Sequence, residues 1–540
     1  MIRKIAAIMI CVIFLTSCAS TESEYSESPS EHVYTHEPEK PVIAKNEGEI
    51  TVSMRLPRTL NPLLNEDSTV DRVLKLIFEP LITLDEEYRV VPNIISNYYT
   101  SADGTSITVR LRTDIRWHDG TPLTSDDLIY SLQALKNEAS EQAIYKNRVE
   151  NITSFTKVDD QTVTINYSEL YAGTPYTLDF PIIPRHHFIN APALPIEKIF
   201  PPLGNGLYAF KEYAFNKEMI LEAMSNSFTK RPYINNINVL ITPDIDTDMY
   251  SFDQGLIDVV TSDISGWGKY QSKKETNLTD FITNIYEFIG FNMEDENTGI
   301  KEFREAIASA INISDMIDAI YLEHAVRVHT PVKPMNWLHA NEVKKYEYDL
   351  KKAAELLESK GYVNDDTYLY KKQGDYKNEV LLRILVNEEN EERVKMAGII
   401  KDSLQQLKIR SEIEIVPFEE YLKRLEERDF EIFLGGFSLS DVPNLSFAFH
   451  SSQIQGGQNY FGYKNEMMDS LIIASLNTTS ENIFRNTFAE IQKLIAEDIP
   501  CISLVFRKSA LLTDIKIYGD KKPTHNNLYD NIEDWFVPEQ

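Results

Sequence analysis

Alternation is the plainest pattern in the chain. From Ser106 to Arg112, Ile107, Val109 and Leu111 fall on one face and Thr108, Arg110 and Arg112 on the other, predicting a half-buried strand. Glu49 to Arg55 and Gln161 to Tyr167 alternate in the same way. From Thr69 to Phe78 the period lengthens, and Val70, Val73, Leu74 and Ile77 share one helical face. Asp119-Gly120 signals a turn. Thr124, three positions before Asp127, has the spacing of a capping box and opens a helix carrying Leu128, Ile129, Leu132 and Leu135.

Helices are longer in the second half. They are predicted over Lys301 to Ile311, Asp349 to Lys360, Glu391 to Leu407, Phe418 to Arg428 and Glu481 to Glu497, with Gly361 stopping the second. Between them lie strands at Ser411 to Val416, Phe430 to Phe437 and Cys501 to Phe506. Strand and helix alternate, so the class is α/β. No internal repeat at a fixed period is visible.

The N-terminus changes the picture. Arg3 and Lys4 precede an uncharged run from Ile5 to Leu15, too short to span a bilayer and the right length for the apolar part of a signal peptide. Leu15-Thr16-Ser17-Cys18 then resembles a bacterial lipobox, whose cysteine is lipidated and becomes the mature N-terminus. The competing readings are an ordinary signal peptide or an uncleaved anchor. Ala19 to about Glu47 is rich in Ser, Thr, Glu and Pro, the composition of a flexible tether. Of three cysteines (Cys11, Cys18, Cys501), cleavage and lipidation leave only Cys501, so no internal disulfide is expected.

Composition excludes more than it identifies. At ~150 residues per domain, 540 residues call for several domains or fewer large ones. A net charge of −29, from 54 Lys+Arg and 83 Asp+Glu, argues against nucleic-acid binding. Catalytic signatures are weak. Gly204-Asn205-Gly206 with Ala209 matches a dinucleotide fingerprint but follows Pro201-Pro202 instead of a strand, so a tight turn is expected. Ser227 and Lys230 lack the companion motifs of a Ser-Lys acylase. His186-His187 makes a poor metal pair, because neighbours in an extended chain face opposite ways and no acidic or His partner sits at a suggestive spacing. Neither an enzyme nor a cofactor or metal is expected, and binding outranks catalysis.

Six segments, in order, resemble the peptide/nickel class (family 5) of extracellular solute-binding proteins, the receptors of ABC importers. They are Leu60-Asn61-Pro62-Leu63, Phe78-Glu79-Pro80-Leu81, the stretch Ile107 to Leu135 with its W-x-D-G-x-P-L-T core, Gly204 to Tyr208, Gly255-Leu256-Ile257-Asp258, and Lys301 to Ile317. The likeness runs from about Glu49 to Gly519. It implies an α/β, two-lobed periplasmic-binding-protein-like fold of type II (large peptide-binding class), with hinge strands and an inserted subdomain. The expected division is a signal peptide at 1–17 and a lipidated Cys18 with tether at 18–47. Lobe I follows at 48–76, 200–288 and 507–540, its inserted subdomain at 77–199, and lobe II at 289–506.

The resemblance also implies a function: a lipid-anchored receptor on the outer face of the cell membrane or in the periplasm. It would capture peptides between its lobes and deliver them to permease subunits with their ATPases, as a monomer. A signalling-peptide or haem sensor on the same fold is the alternative, and a surface hydrolase a remote third. The ligand-lining positions implied are Asn61, Thr261, Ser262, Asp263, Trp267 (on a loop between Gly266 and Gly268), Phe291, Asn292, Gly436, Phe437, Ser438, Leu439 and Asp441, with Asn459 and Tyr460 at the far edge. Peptide-binding members usually read G-W-x-x-D-Y-x-[DE]-P in the 436–443 region, where the first Asp pairs with the peptide's α-amino group. This chain has Leu439 at that place and Asp441 two residues later. Either Asp441 substitutes, or it is a turn acid before Pro443 and the amine is not the anchor. For nickel, the sequence offers no cleft His or Arg that can be placed.

Overall fold

The computed structural model describes residues 48–538 apart from 103, 192–197, 226–229, 263–266, 272 and 366. Cys18 with its leader and tether, Ser227 and Asp263 lie outside the described residues. Among the described residues no helix is long and apolar enough to cross a membrane.

Two four-stranded sheets with their helices, and a two-stranded hairpin, make up most of the first half. Strands Gly48–Met54, Ile234–Ile241, Glu218–Ala223 and Tyr208–Ala214 lie side by side, the first pair parallel and the others antiparallel. Helix Ser68–Ile77 covers the first strand, its N-terminus capped by the Asp67 carboxylate accepting from the Thr69 and Val70 amides. A separate antiparallel sheet runs in the order Ile95–Thr100, Ser106–Leu111, Thr162–Tyr167, Ile152–Asp159. Ile107, Val109 and Leu111 point inward, as alternation requires, and pack with Leu128, Leu132 and Leu135 of helix Ser125–Asn137. The Asp127 carboxylate accepts the Thr124 amide at 2.9 Å, closing the N-terminus of that helix. Gly204 and Gly206 sit where their amide segment presses on Ile77, and a Cβ on Gly204 would overlap the Ile77 carbonyl oxygen. The turn is therefore a packing device.

The second half is built on a mixed seven-stranded sheet. Its main path is Val259–Ser262, Cys501–Asp514, Thr276–Phe291, Ile432–Ser438, Leu381–Asn387, Arg410–Val416, and Ala325–Arg327 also pairs with Cys501–Asp514. Helices Lys301–Ala310, Leu350–Ser359, Glu391–Gln406, Phe418–Glu427 and Glu481–Asp498 surround it.

Two long antiparallel strands, Thr276–Phe291 and Cys501–Asp514, join the halves. Their pairing is broken between Ile282↔Lys508 and Tyr286↔Phe506, so four steps on one strand oppose two on the other. Thr283 satisfies the irregular backbone there: its hydroxyl donates to the Arg507 carbonyl at 2.8 Å and accepts the Ile285 amide at 3.2 Å. The cores change at this bulge. Before it, Phe281 packs against the core that contains Ile50, Val70, Ile107 and Leu511. After it, Tyr286 and Phe288 join Phe433, Phe461 and Phe506, while Ile289 and Phe291 join Phe303, Ile384 and Leu504.

Candidate functional site

The bulge shapes a cleft. An extra residue in a ladder bends the strand and re-aims a side chain, and here Asn284 is turned out of register. Its Oδ1 accepts the Lys333 ammonium, and its Nδ2 donates to Asp441 Oδ1 at 3.3 Å. Asp441 Oδ2 accepts the side-chain amide of Asn526 from the C-terminal segment. Lys333 comes from a loop, Pro331-Val332-Lys333-Pro334, where prolines fix an extended path. Asn284, Lys333, Asn336, Leu338, Ser440, Asp441, Val442 and Phe506 are among the residues lining this pocket.

A larger opening adjoins it, with about 1420 Å³ of open space. One wall is Ser438, Leu439, Ser440, Val442, Asn444 and Phe447; the other is Arg148, Tyr167, Tyr171, Thr174 and their neighbours. The segment 438–444 thus separates the two spaces and faces both. Elsewhere the sides touch. The Trp337 amide donates to the Glu87 carbonyl at 3.0 Å, and its indole N–H donates to Tyr176 Oη at 2.7 Å. Tyr176 in turn donates to the Tyr88 carbonyl at 2.6 Å. The Arg89 guanidinium lies 4.6 Å from the centre of the Trp337 ring. Tyr88 itself, at the tip of the hairpin Ile82–Leu84/Val90–Pro92, has φ +62°, a left-handed conformation costly for an aromatic residue. It holds its ring 4.5 Å from the Lys333 ammonium.

Electrostatics distinguish the two walls. Arg148 forms a two-pronged pair with Asp179, at 2.6 Å and 2.9 Å. Burial opposes its charge, but Asp179 outweighs burial and holds the guanidinium protonated. Lys333 is only 7% exposed, and among the described residues it has no carboxylate within ion-pair distance. Burial pushes its ammonium down to about 8, with Asp441 pulling the other way. Burial also drives His525 down to about 4 and raises Tyr88 to about 12, Asp441 adding to the latter. The pocket therefore holds Lys333 and Asp441 at opposite ends of one carboxamide.

Of the positions expected to line the ligand, Ser438, Leu439 and Asp441 come together on the cleft wall. Phe437 lies behind them, its ring 4.9 Å from Phe288 and 5.1 Å from Phe447. Gly436 sits where a Cβ would collide with the Arg393 guanidinium and stand 3.0 Å from Glu287 Oε2. Phe291 is wholly buried in the core. Asn292 donates to the Arg428 and Phe430 carbonyls, both at 3.0 Å. Asn459 donates to the His450 and Tyr463 carbonyls and accepts the Tyr463 amide, and Tyr460 packs against the same aromatic core. Asn61 accepts the Leu63 amide in a turn of its own. Thr261 and Ser262 lie in strand Val259–Ser262, paired with Leu511 and Ala510. None of these lines either opening. Trp267, expected on a loop, begins the short helix Trp267–Gln271, because Tyr270 buries itself against Phe252 one turn on.

The remaining chemistry is spent structurally. His186 and His187 share one helical turn instead of an extended chain; one meets Asp119 at 2.8 Å and the other the Pro201 carbonyl at 2.9 Å. Lys230 pairs with Asp534. Cys501 is a buried free thiol pushed up to about 12 by burial. Sequence reasoning missed Asn284, Lys333, Tyr88, Tyr171 and Arg148. The one signal available was a lysine set between prolines in an otherwise apolar run.

The family model for bacterial extracellular solute-binding proteins, family 5 Middle, matches residues 89–459. The oligopeptide-binding protein AppA of Bacillus subtilis (strain 168) is 25% identical over 99% of this chain and 98% of that protein. The dipeptide-binding protein of Escherichia coli (strain K12) is 22% identical over 83% and 86%, respectively. The solved structure of AppA from Bacillus subtilis in complex with a nonapeptide matches with a TM-score of 0.63 at 23% identity, over 92% of this chain and 100% of that one, a likeness of fold. The chain belongs to family 5 of the bacterial extracellular solute-binding proteins.

Proposed function

We propose that this protein is the receptor of an ABC importer and captures peptides in the cleft between its two halves, with Asp441 receiving the ligand's α-ammonium. The observation that carries this reading is the placement of Asp441 in the first opening, on the segment 438–444 that also borders the second, beside the bulge in the two long strands that join the halves. A carboxylate in a partly dry cleft binds an ammonium through charge-assisted hydrogen bonds. In the present conformation its oxygens accept from the amides of Asn284 and Asn526, neutral donors that an ammonium would replace. That exchange supplies differential affinity for the closed form. Moving a population from 1:99 to 99:1 requires ~5.5 kcal/mol of it. The names of AppA and the dipeptide-binding protein support peptides as the ligand class.

On this reading the leader is cleaved and Cys18 is lipidated. The tether 19–47 holds a monomeric body near permease subunits and their ATPases on the outer face of the membrane. No bond is made or broken by the receptor itself.

The test is calorimetric titration of a peptide library, with X-ray scattering on empty and saturated protein. A fall in radius of gyration on binding is expected. N-acetylation of a bound peptide, or Asp441→Asn, is expected to weaken binding about tenfold to a hundredfold. Equal affinity for acetylated and free peptides would remove Asp441 as the amine anchor. Superimposable scattering curves with every bound peptide would remove closure.

A further inference from the structure

We propose that Lys333 reads an acidic side chain next to the ligand's amine, so that the cleft selects peptides with Asp or Glu as their first or second residue. This rests on the reading of Asp441 above and adds the substrate class.

The inference follows from charge accounting in a confined space. Lys333 and Asp441 bind opposite ends of the Asn284 carboxamide. Neither belongs to an ion pair among the described residues. Their net charge is zero while the cleft holds no ligand. A ligand bringing only an ammonium to Asp441 would leave the Lys333 cation without a counter-charge in a pocket lined by Pro331, Val332, Leu338 and Phe506. Uncompensated charge in such surroundings is costly. A ligand bringing an ammonium and a nearby carboxylate leaves the site neutral and gives each group an ionic partner.

The surroundings of Lys333 agree. Asn284, its hydrogen-bond acceptor, is 5% exposed and cannot neutralise a charge. The hydroxyl of Tyr88 is 3.4 Å away, at the edge of hydrogen bonding, and its ring offers only a quadrupole. Structural lysines elsewhere in the chain put the ammonium on a carboxylate, as Lys301 does with Glu497 and Lys508 with Asp280, or on main-chain carbonyls, as Lys521 does with Ile517 and Gly519. Lys333 has neither. It is held against the cleft by the prolines on both sides of it and by the strained Tyr88 at the hairpin tip.

The test uses tetrapeptides amidated at the C-terminus, so that the only carboxylate is the side chain under study. Peptides with Glu, Ala or Lys at the first or second position are titrated into the full chain, into Lys333→Met and into Lys333→Arg, with melting curves to show that each variant is folded. The wild type is expected to favour Glu over Ala, at one of the two positions, by about tenfold to a hundredfold and to bind Lys most weakly. Lys333→Met should lose the preference while still binding the Ala peptide, and Lys333→Arg should restore most of it. A wild type indifferent to Glu, or a preference that survives Lys333→Met, overturns the proposal and leaves peptide capture intact. If no peptide binds the folded wild type, the peptide reading itself fails and takes this proposal with it.

Discussion

Two groups of buried charge lie on one strand, separated by less than a turn of chain. At Glu287 the carboxylate is 1% exposed and ion-paired: Arg393 lies at 2.8 Å and Arg507 at 3.7 Å. At Asn284, three residues earlier, Lys333 and Asp441 hang on one amide with no ionic partner among the described residues. The first group closes on itself and fixes how the crossing strands meet the helix Glu391–Gln406. The second is balanced overall but open toward a cleft. A buried charge that finds its partner within the fold is structure. A buried charge that does not is an invitation to a ligand.

The comparison can be broken most forcefully at Glu287. Glu287→Gln leaves Arg393 without a counter-ion, while Arg507 keeps Glu392 at 3.7 Å, and is expected to cost about 3–5 kcal/mol of stability, read from urea unfolding. Asp441→Asn should cost less than this in the same unfolding experiment, because its hydrogen-bond partners are neutral amides and Lys333 lies beyond ion-pair distance. Its effect belongs in the affinity for free-amine peptides. If both variants lost stability equally, the distinction between the two groups would be wrong.

A smaller effect concerns pH. Burial lowers the Lys333 pKa from its ordinary 10.5 to about 8. In that window the unfolded chain holds a proton that the folded chain has released, so this group makes stability rise as pH rises from about 8 toward 10.5. Binding of a Glu-bearing peptide needs the ammonium and should weaken as pH climbs through about 8. Of the groups facing Lys333, Tyr88 is raised to about 12 and His525 lowered to about 4, both outside that window. The measure is the difference between wild type and Lys333→Met across the window. An identical pH profile in both would show that the ammonium has no part in binding. The smallest effect is expected for Tyr88→Phe, which keeps the ring over Lys333 and removes only a 3.4 Å contact. Its affinity for any peptide should change by less than about threefold; a larger loss would make the hydroxyl a ligand group.

Much of the fold is legible where one face of an element is wet. Ser106–Leu111 alternates because its outer face meets solvent, and helix Leu350–Ser359 announces itself through the Asp349 cap and Gly361 at φ +83°. The strand expected at Cys501 to Phe506 runs on to Asp514, through Arg507, Lys508 and Ser509. Those polar residues are tolerated because the strand crosses from one core to the other at the bulge. Thr276–Phe291 escaped notice for a like reason: its first half mixes Thr, Asn and Asp with Leu, Phe and Ile, and its pattern breaks where its partner slips. At the site, Asp441 could be singled out from a chain departing from a known motif. Asn292, Asn459 and Phe291 stood out equally, yet the structure gives them backbone bonds or core positions. Residue type alone does not separate a polar group that faces a cavity from one that closes a turn.

The sequence by itself determined the α/β class, most helix boundaries and the family's order of motifs, because caps, glycines and periodicity act over a few residues. It also determined that any single carboxylate in 436–443 would be Asp441. Only the tertiary structure decided that Lys333 and Asp441 meet on Asn284, and that Arg148 is already neutralised by Asp179. Those partners come from segments far apart in the chain. Whether a charge is paired depends on distances that local patterning does not encode.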